Sequence, residues 1–212
     1  MLTIMRKNGV ILAIFAAITT GLTAIIHEVT KPAIQAQKTL TKQNLLDQVL
    51  PSTLYNNNLQ SSCYIVRNQE LGDNTEHRLY IAKKNEKPVA VALETTASDG
   101  YSGNIKIIVG ANFNGLIYGA RVLEHHETPG LGDKIELRFS NWIHSFDNKK
   151  INKNHVSSFT VKKDGGDFDQ FTGATITPRA VVNAIKHSTL YIQTLPKTIS
   201  HLKKCNTNTT EE

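Results

Sequence analysis

The chain has 212 residues, room for one ordinary domain and little else. Lys plus Arg number 24 against 18 for Asp plus Glu, a net charge of +6 that raises nucleic acid as a partner without deciding it. Apolar residues at 40% exclude a disordered chain, and 2 cysteines exclude a disulfide-dense scaffold or a Cys-rich zinc or iron–sulfur fold.

Residues 9–26 (GVILAIFAAITTGLTAII) carry no charge, and their only polar side chains are Thr19, Thr20 and Thr23. A helix of that length spans roughly 27 Å, close to the hydrocarbon thickness of a bilayer. A core helix of a soluble protein would keep a polar face, and this segment has none, so a transmembrane helix in contact with lipid is predicted over 9–26. Arg6 and Lys7 ahead of an apolar run also fit a signal peptide. No A-x-A site follows, however, since Leu22-Thr23-Ala24 puts a bulky residue at the cleavage position, and an uncleaved anchor is favoured. Arg6 and Lys7 sit tight against the N-terminal end, whereas Lys31 and Lys38 flank the other end at greater distance. That asymmetry predicts a cytoplasmic tail at 1–8, a single pass through the membrane, and an exported C-terminal domain.

A helical connector is predicted over 27–60. In it Ile34, Leu40, Leu46, Val49 and Leu50 fall near helical spacing, Pro51-Ser52 ends the helix, and residues 55–58 form a loop. Five β-branched and aromatic runs follow at 63–66, 78–83, 89–95, 104–110 and 116–123. Asn114-Gly115 between the last two predicts a type I′ hairpin turn and hence antiparallel pairing. The period then changes: Ile135, Phe139, Trp142 and Phe146 predict an amphipathic helix with Asp133 and Glu136 as its N-terminal cap. After a short strand around 159–161, a second helix is announced by Thr177 as N-cap and Pro178 at the first helical position, with Val181, Ile185 and Ile192 on its buried face and Leu195-Pro196 at its end. The domain is expected to span 61–202, with a flexible tail at 203–212. A block of strands with helices added predicts an α+β fold, an antiparallel sheet with flanking helices, plus one N-terminal transmembrane helix. Cys63 and Cys205 are far apart in sequence, and their residues leave a disulfide and two buried thiols equally open.

Two segments carry chemistry. Residues 164–178 place small residues and hydroxyls before a helix start, where unpaired backbone N–H groups and partial positive charge would stabilise a phosphate held at Thr175. The same residues also describe an ordinary capped loop, and on their own they leave both readings open. In residues 125–132, Pro129 fixes φ while Gly130 and Gly132 leave the backbone bare, so a flat ring could approach main-chain N–H groups closely. Thr128 adds a hydroxyl and Leu131 an apolar face. The His125-His126 pair invites a metal, but adjacent residues of an extended segment face opposite ways and no H-E-x-x-H spacing is present, so no metal site is predicted. The remaining histidines, including His155, are scattered and are assigned to surface or packing roles. Neither a G-x-G-x-x-G nor a P-loop occurs, and basic residues are spread along the chain, so no nucleic acid partner is expected.

Asp169-Gln170-Phe171-Thr172-Gly173-Ala174-Thr175 resembles the D-x-x-[S/T]-G-A-T flavinylation motif of FMN-binding domains. His126-Glu127-Thr128-Pro129-Gly130-Leu131-Gly132 and the turn Gly100-Tyr101-Ser102-Gly103 are similar to segments bordering the flavin in the G subunits of Rnf/Rsx ion-translocating electron transport complexes and, more loosely, in the C subunits of sodium-pumping quinone reductases. The resemblance runs over essentially the whole chain. It implies FMN joined through a phosphoester to Thr175 by a flavin transferase that uses FAD as donor. Asp169, Thr172, Gly173, Ala174 and Thr175 are implied as the stretch the transferase recognises. Flavin contacts are implied at Tyr101, Ser102, Glu127, Thr128, Gly130, Leu131, Gly132, Thr172, Gly173 and Ala174. No residue of the chain need act as a catalytic acid or base. The implied partners are the remaining members of the complex, and the implied role is that of an electron carrier within a multi-subunit translocase. From residues alone, a noncatalytic membrane-anchored assembly or ligand-binding protein, whose T-G-A-T loop is only a cap, stands as the second reading.

Overall fold

In a computed structural model that describes residues 2–152 and 156–205, the chain forms two compact units, Met1–Asn44 and Leu45–Glu212. His155, given a surface or packing role from the sequence, and the tail from 206 on, expected there to be flexible, lie outside the described residues.

α1 (Leu2–Val49) is one continuous α-helix that runs through the expected transmembrane helix at 9–26 and on into the expected helical connector at 27–60. Pro32 removes one backbone donor and crowds the preceding turn, but long helical stretches on both sides of it keep the helix running. The stretch long and apolar enough to cross a membrane is Met5–Ile34, wider than the predicted 9–26, and Leu12, Phe15, Ile18, Leu22 and Ile25 along it are all exposed. Two of the threonines in this run bond their hydroxyls to the preceding turn. Thr19 donates to the Phe15 carbonyl at 3.0 Å and Thr23 to the Thr19 carbonyl at 3.1 Å.

The second unit is built on a six-stranded antiparallel sheet in the order β5-β4-β3-β2-β1-β6, from β1 (Cys63–Val66), β2 (His77–Lys84), β3 (Lys87–Ala97), β4 (Ile105–Asn112), β5 (Ile117–Glu124) and β6 (Lys203–Lys204). Leu79 pairs with Leu93 and Leu93 with Val109, a register that keeps large apolar side chains on one face. Successive side chains point to opposite faces, and both faces are buried. Val91, Leu93, Ile107 and Val109 join the core beneath α2 (Ile176–Thr194), while Ala90, Ala92 and Ile108 join Leu46, Val49 and Leu50 on the other side. That second side combines Ala82, Ala90 and Ala92 with the larger Tyr80 and Ile108. A Cβ at Gly110 would sit 1.9 Å from the Val49 carbonyl oxygen, so only glycine lets the end of α1 lie against β4.

Val181, Ile185 and Ile192 of α2 are buried as the sequence predicts. Ser188 and Thr189 accompany them, their hydroxyls donating to the Ile185 carbonyl at 3.0 and 2.7 Å. Elsewhere local chemistry overrides pattern. The type I′ turn joins β2 to β3, where Asn85 and Glu86 both take positive φ (51° and 63°). Of Asn114 and Gly115 only Gly115 is left-handed (φ 81°), and the Asn112 carboxamide oxygen accepts from the Asn114 and Leu116 N–H groups, giving a wider turn than predicted. The predicted helix over 135–146 is two 3₁₀ turns, Gly132–Ile135 and Trp142–Phe146. The strand expected near 159–161 reduces to a single bridge between Val161 and Phe168. Lys203 and Lys204 of the expected flexible tail pair with β1, and Cys205 forms a disulfide with Cys63.

Candidate functional site

Three segments from separate parts of the chain meet at a cleft of about 250 Å³ beside the start of α2. The first is the turn before β4. Tyr101 there is 67% exposed and lines the cleft, while the neighbouring Ser102 N–H donates to Glu127 Oε1 at 2.9 Å.

The second segment follows β5. The Thr128 carbonyl accepts from the N–H groups of Leu131 and Gly132 at 3.2 and 3.0 Å, and Gly130 N–H donates to Asp133 Oδ2 at 2.9 Å. The turn's amides are therefore spent within the turn, a correction to the idea that they face a flat ring. What the glycines provide is backbone geometry: Gly130 is left-handed (φ 77°), and a Cβ at Gly132 would sit 2.9 Å from Cβ of Glu127. Leu131 remains 40% exposed in the cleft wall. Glu127, 4% exposed, accepts from Ser102 N–H with one carboxylate oxygen and from the Thr177 hydroxyl with the other. It thereby ties all three segments together. Behind it His125 Nδ1 accepts the Glu127 N–H at 3.0 Å, which puts the ring proton on Nε2 for the 2.5 Å contact with Glu136.

The third segment runs from Asp169 into α2. Ala174 N–H donates to the Phe171 carbonyl at 3.1 Å, closing a tight turn in which Gly173 is left-handed (φ 81°). Thr175, partly buried, takes the N-cap position, ahead of the predicted cap at Thr177. Thr177 cannot serve as that cap because its hydroxyl is committed to Glu127. The Thr175 side chain makes no capping bond and Pro178 contributes no N–H, so the first turn of α2, whose residues Ile176 and Thr177 line the cleft, brings the positive end of the helix dipole beside it. A helix start of that kind favours a phosphate.

Of the residues singled out in the sequence, Tyr101, Glu127, Thr128, Leu131, Gly132, Gly173, Ala174 and Thr175 line the cleft. Ser102 supports it through Glu127; Gly130, Thr172 and Asp169 lie outside its lining. Sequence reasoning missed Ile176, an apolar wall residue 43% exposed, and the partnership of Thr177 with Glu127. The first had a signal, an apolar side chain directly after Thr175. The second had none, because 50 residues separate the pair.

Flanking the third segment, Arg179 donates Nε and Nη2 to the Asp164 carboxylate at 2.6 and 2.9 Å and holds that carboxyl below the usual carboxylate range. The depressed folded-state value means the pair stabilises fully above the unfolded pKa, about 3.9, and is lost as pH falls through the folded value. The gap in melting temperature between wild type and Asp164→Asn is therefore expected to be constant above about pH 5 and to close below about pH 4. A gap that stays constant down to about pH 2 would count against the pair.

The cleft thus joins the start of α2, the Thr175 side chain and the exposed side chains of Tyr101, Leu131 and Ile176. An FMN-binding domain model matches residues 100–189, the span that holds all three cleft segments, and an RnfG N-terminal region model matches residues 1–49. The chain is 65% identical over 205 residues to the G subunit of the ion-translocating oxidoreductase complex of Erwinia tasmaniensis, covering 97% of this chain and 98% of that one. It is 60% identical to the corresponding protein of Escherichia coli strain K12, over 97% of this chain and 99% of that one. The crystal structure of Shewanella oneidensis NqrC aligns over 65% of this chain and 68% of that chain, with a TM-score of 0.48 and 18% identity. The chain belongs to the family of G subunits of ion-translocating oxidoreductase complexes.

Proposed function

We propose that this protein is the flavin-carrying electron-transfer member of an ion-translocating oxidoreductase complex, with FMN esterified to Thr175. The observation that carries the reading is Thr175 at the uncapped start of α2, inside a cleft whose other walls are Tyr101, Leu131 and Ile176. The residues present fit the group: amides for the phosphate, a hydroxyl for the ester, and three apolar side chains for a planar ring. FMN, once bound, supplies the redox chemistry.

The chain's own part is attachment and placement. In maturation the Thr175 hydroxyl contributes the ester oxygen. Its Oγ1–P bond forms as the pyrophosphate bond of FAD breaks, AMP leaves, and the hydroxyl proton goes to the medium. The amides at the start of α2 balance the phosphate charge, and Glu127 keeps the walls in register. A cleft of about 250 Å³ is smaller than the roughly 300–1,000 Å³ that encloses a drug-sized ligand, which leaves part of the cofactor uncovered. An uncovered edge suits exchange of electrons with a neighbouring protein of the complex.

The anchor is the apolar stretch of α1, placed across the inner membrane with residues 1–8 in the cytoplasm and the domain at 61–202 in the periplasm. The Cys63–Cys205 bridge supports that side, since disulfides persist in oxidising compartments. The remaining members of the complex, the bilayer and the transferase are the partners in this reading.

Coexpression with a flavin transferase tests it. The wild type is expected to give in-gel flavin fluorescence and an intact mass increased by FMN, and Thr175→Val to give neither. A wild-type mass equal to the bare polypeptide overturns the flavoprotein reading, and fluorescence that survives in Thr175→Val moves the attachment elsewhere. A C-terminal reporter active only after export should be active; a silent one reverses the orientation.

A further inference from the structure

Trp142, the chain's only tryptophan, does not line the cleft, yet it reaches the loop that leads to Thr175. Its indole N–H donates to the Asp169 carbonyl at 2.8 Å, and its ring meets Phe171 edge-on with centroids 5.2 Å apart. On its other side the ring rests against the fully buried Phe146 at 5.3 Å. Its backbone N–H donates to Ser140 Oγ, which itself donates to the Lys134 carbonyl at 2.6 Å. Trp142 is thus fixed from behind and grips the loop from the front.

The loop needs such a grip. Beyond Phe171, Thr172 and the left-handed Gly173 are exposed, and the Asp169 carboxylate faces solvent with Lys162 at 2.6 Å. An exposed ion pair of that kind contributes little. The Asp169 carbonyl and the Phe171 ring are two points at which the stem of the loop meets the domain, and Trp142 contacts both. We propose that Trp142 is a positioning residue for flavin attachment: by gripping the Asp169 carbonyl and the Phe171 ring, it holds the 169–175 loop in the conformation in which a transferase reaches the Thr175 hydroxyl. The proposal rests on Thr175 as the acceptor.

The test uses the full-length apo-protein in detergent with a flavin transferase and FAD, at a temperature where every variant is folded by far-UV circular dichroism. Trp142→Phe keeps an aromatic ring against Phe171 and deletes the N–H, so a fall of roughly 3- to 10-fold in kcat/KM for the acceptor is expected, carried by KM. Trp142→Ala, which also deletes the ring, should fall further. Amide exchange in the 169–175 peptide should rise in Trp142→Phe while the sheet strands stay protected. Unchanged kcat/KM or unchanged exchange in Trp142→Phe overturns the proposal. A lower melting temperature with unchanged KM on folded protein assigns Trp142 to packing and overturns it as well. If the wild type accepts no flavin at all, the acceptor assignment fails instead, and the two failures are distinct.

Discussion

Glu127→Ala is expected to destabilise the second unit by about 2–5 kcal/mol, a fall of roughly 5–20 °C in melting temperature for a domain of this size. The carboxylate is 4% exposed and accepts the Ser102 N–H and the Thr177 hydroxyl, which belong to two other segments of the cleft. Truncation removes the acceptor from both donors, of which the Thr177 hydroxyl is buried, and takes away the carboxylate against which Gly132 and Gly100 pack: a Cβ at either glycine would lie within 3.0 Å of the Glu127 side chain. Glu127→Gln keeps the volume and one acceptor, and the Thr177 hydroxyl can turn to accept from the new NH₂ group, so a loss of about 1–2 kcal/mol is expected. The cleft should suffer with the fold: flavin incorporation under limiting transferase should fall in the same order, Ala below Gln below wild type. Urea unfolding of the three apo-proteins measures the first effect and gel fluorescence the second. Equal stability in all three would mean that Glu127 does not join the segments.

The sheet was legible because its strands are short β-branched runs between turn residues, and β1 falls on the predicted 63–66. The departures at 135–146 and at the turn after β4 share one cause, side chains that hydrogen-bond to nearby backbone and preempt a regular element. In the predicted helix over 135–146, Ser140 Oγ takes the Lys134 carbonyl and accepts the Trp142 N–H, and Asp133 turns back to Gly130 rather than capping forward. The helical register would bury Phe139 with Ile135, yet Phe139 is 51% exposed. At the hairpins, the side chain of Asn112 widens one turn, while the tight I′ turn falls at Asn85-Glu86, a pair without the glycine that usually signals it. The cleft divides the same way. Its glycine and hydroxyl motifs could be read off the chain, but the contacts that assemble them, Glu127 to Thr177 and Trp142 to Asp169, join residues 50 and 27 positions apart and leave no local pattern.

Replacing both Cys63 and Cys205 with alanine is expected to cost about 2–5 kcal/mol, or roughly 5–20 °C in melting temperature, and reductant should bring the wild type to the same value. The bridge closes a loop of 142 residues, nearly the whole second unit, so its removal returns a large conformational freedom to the unfolded chain. The folded side loses something more local. β6 is two residues long and is held to β1 by the pairs Tyr64 with Lys204 and Ile65 with Lys203, together with the Cys205 N–H on the Cys63 carbonyl at 3.0 Å. A two-residue strand has little hold of its own, so without the bridge the segment after α2 should fray and β1 become an open edge. That edge is the opposite side of the sheet from β5, the strand that feeds the Glu127 turn. Flavin attachment in the folded fraction should therefore stay at the wild-type extent while amide exchange rises at Tyr64 and Ile65. Scanning calorimetry with and without reductant, on wild type and double variant, checks the stability. A shift below about 1 °C would mean that the loop gains no freedom on release, and loss of flavin attachment in folded double variant would mean that the two edges of the sheet are coupled.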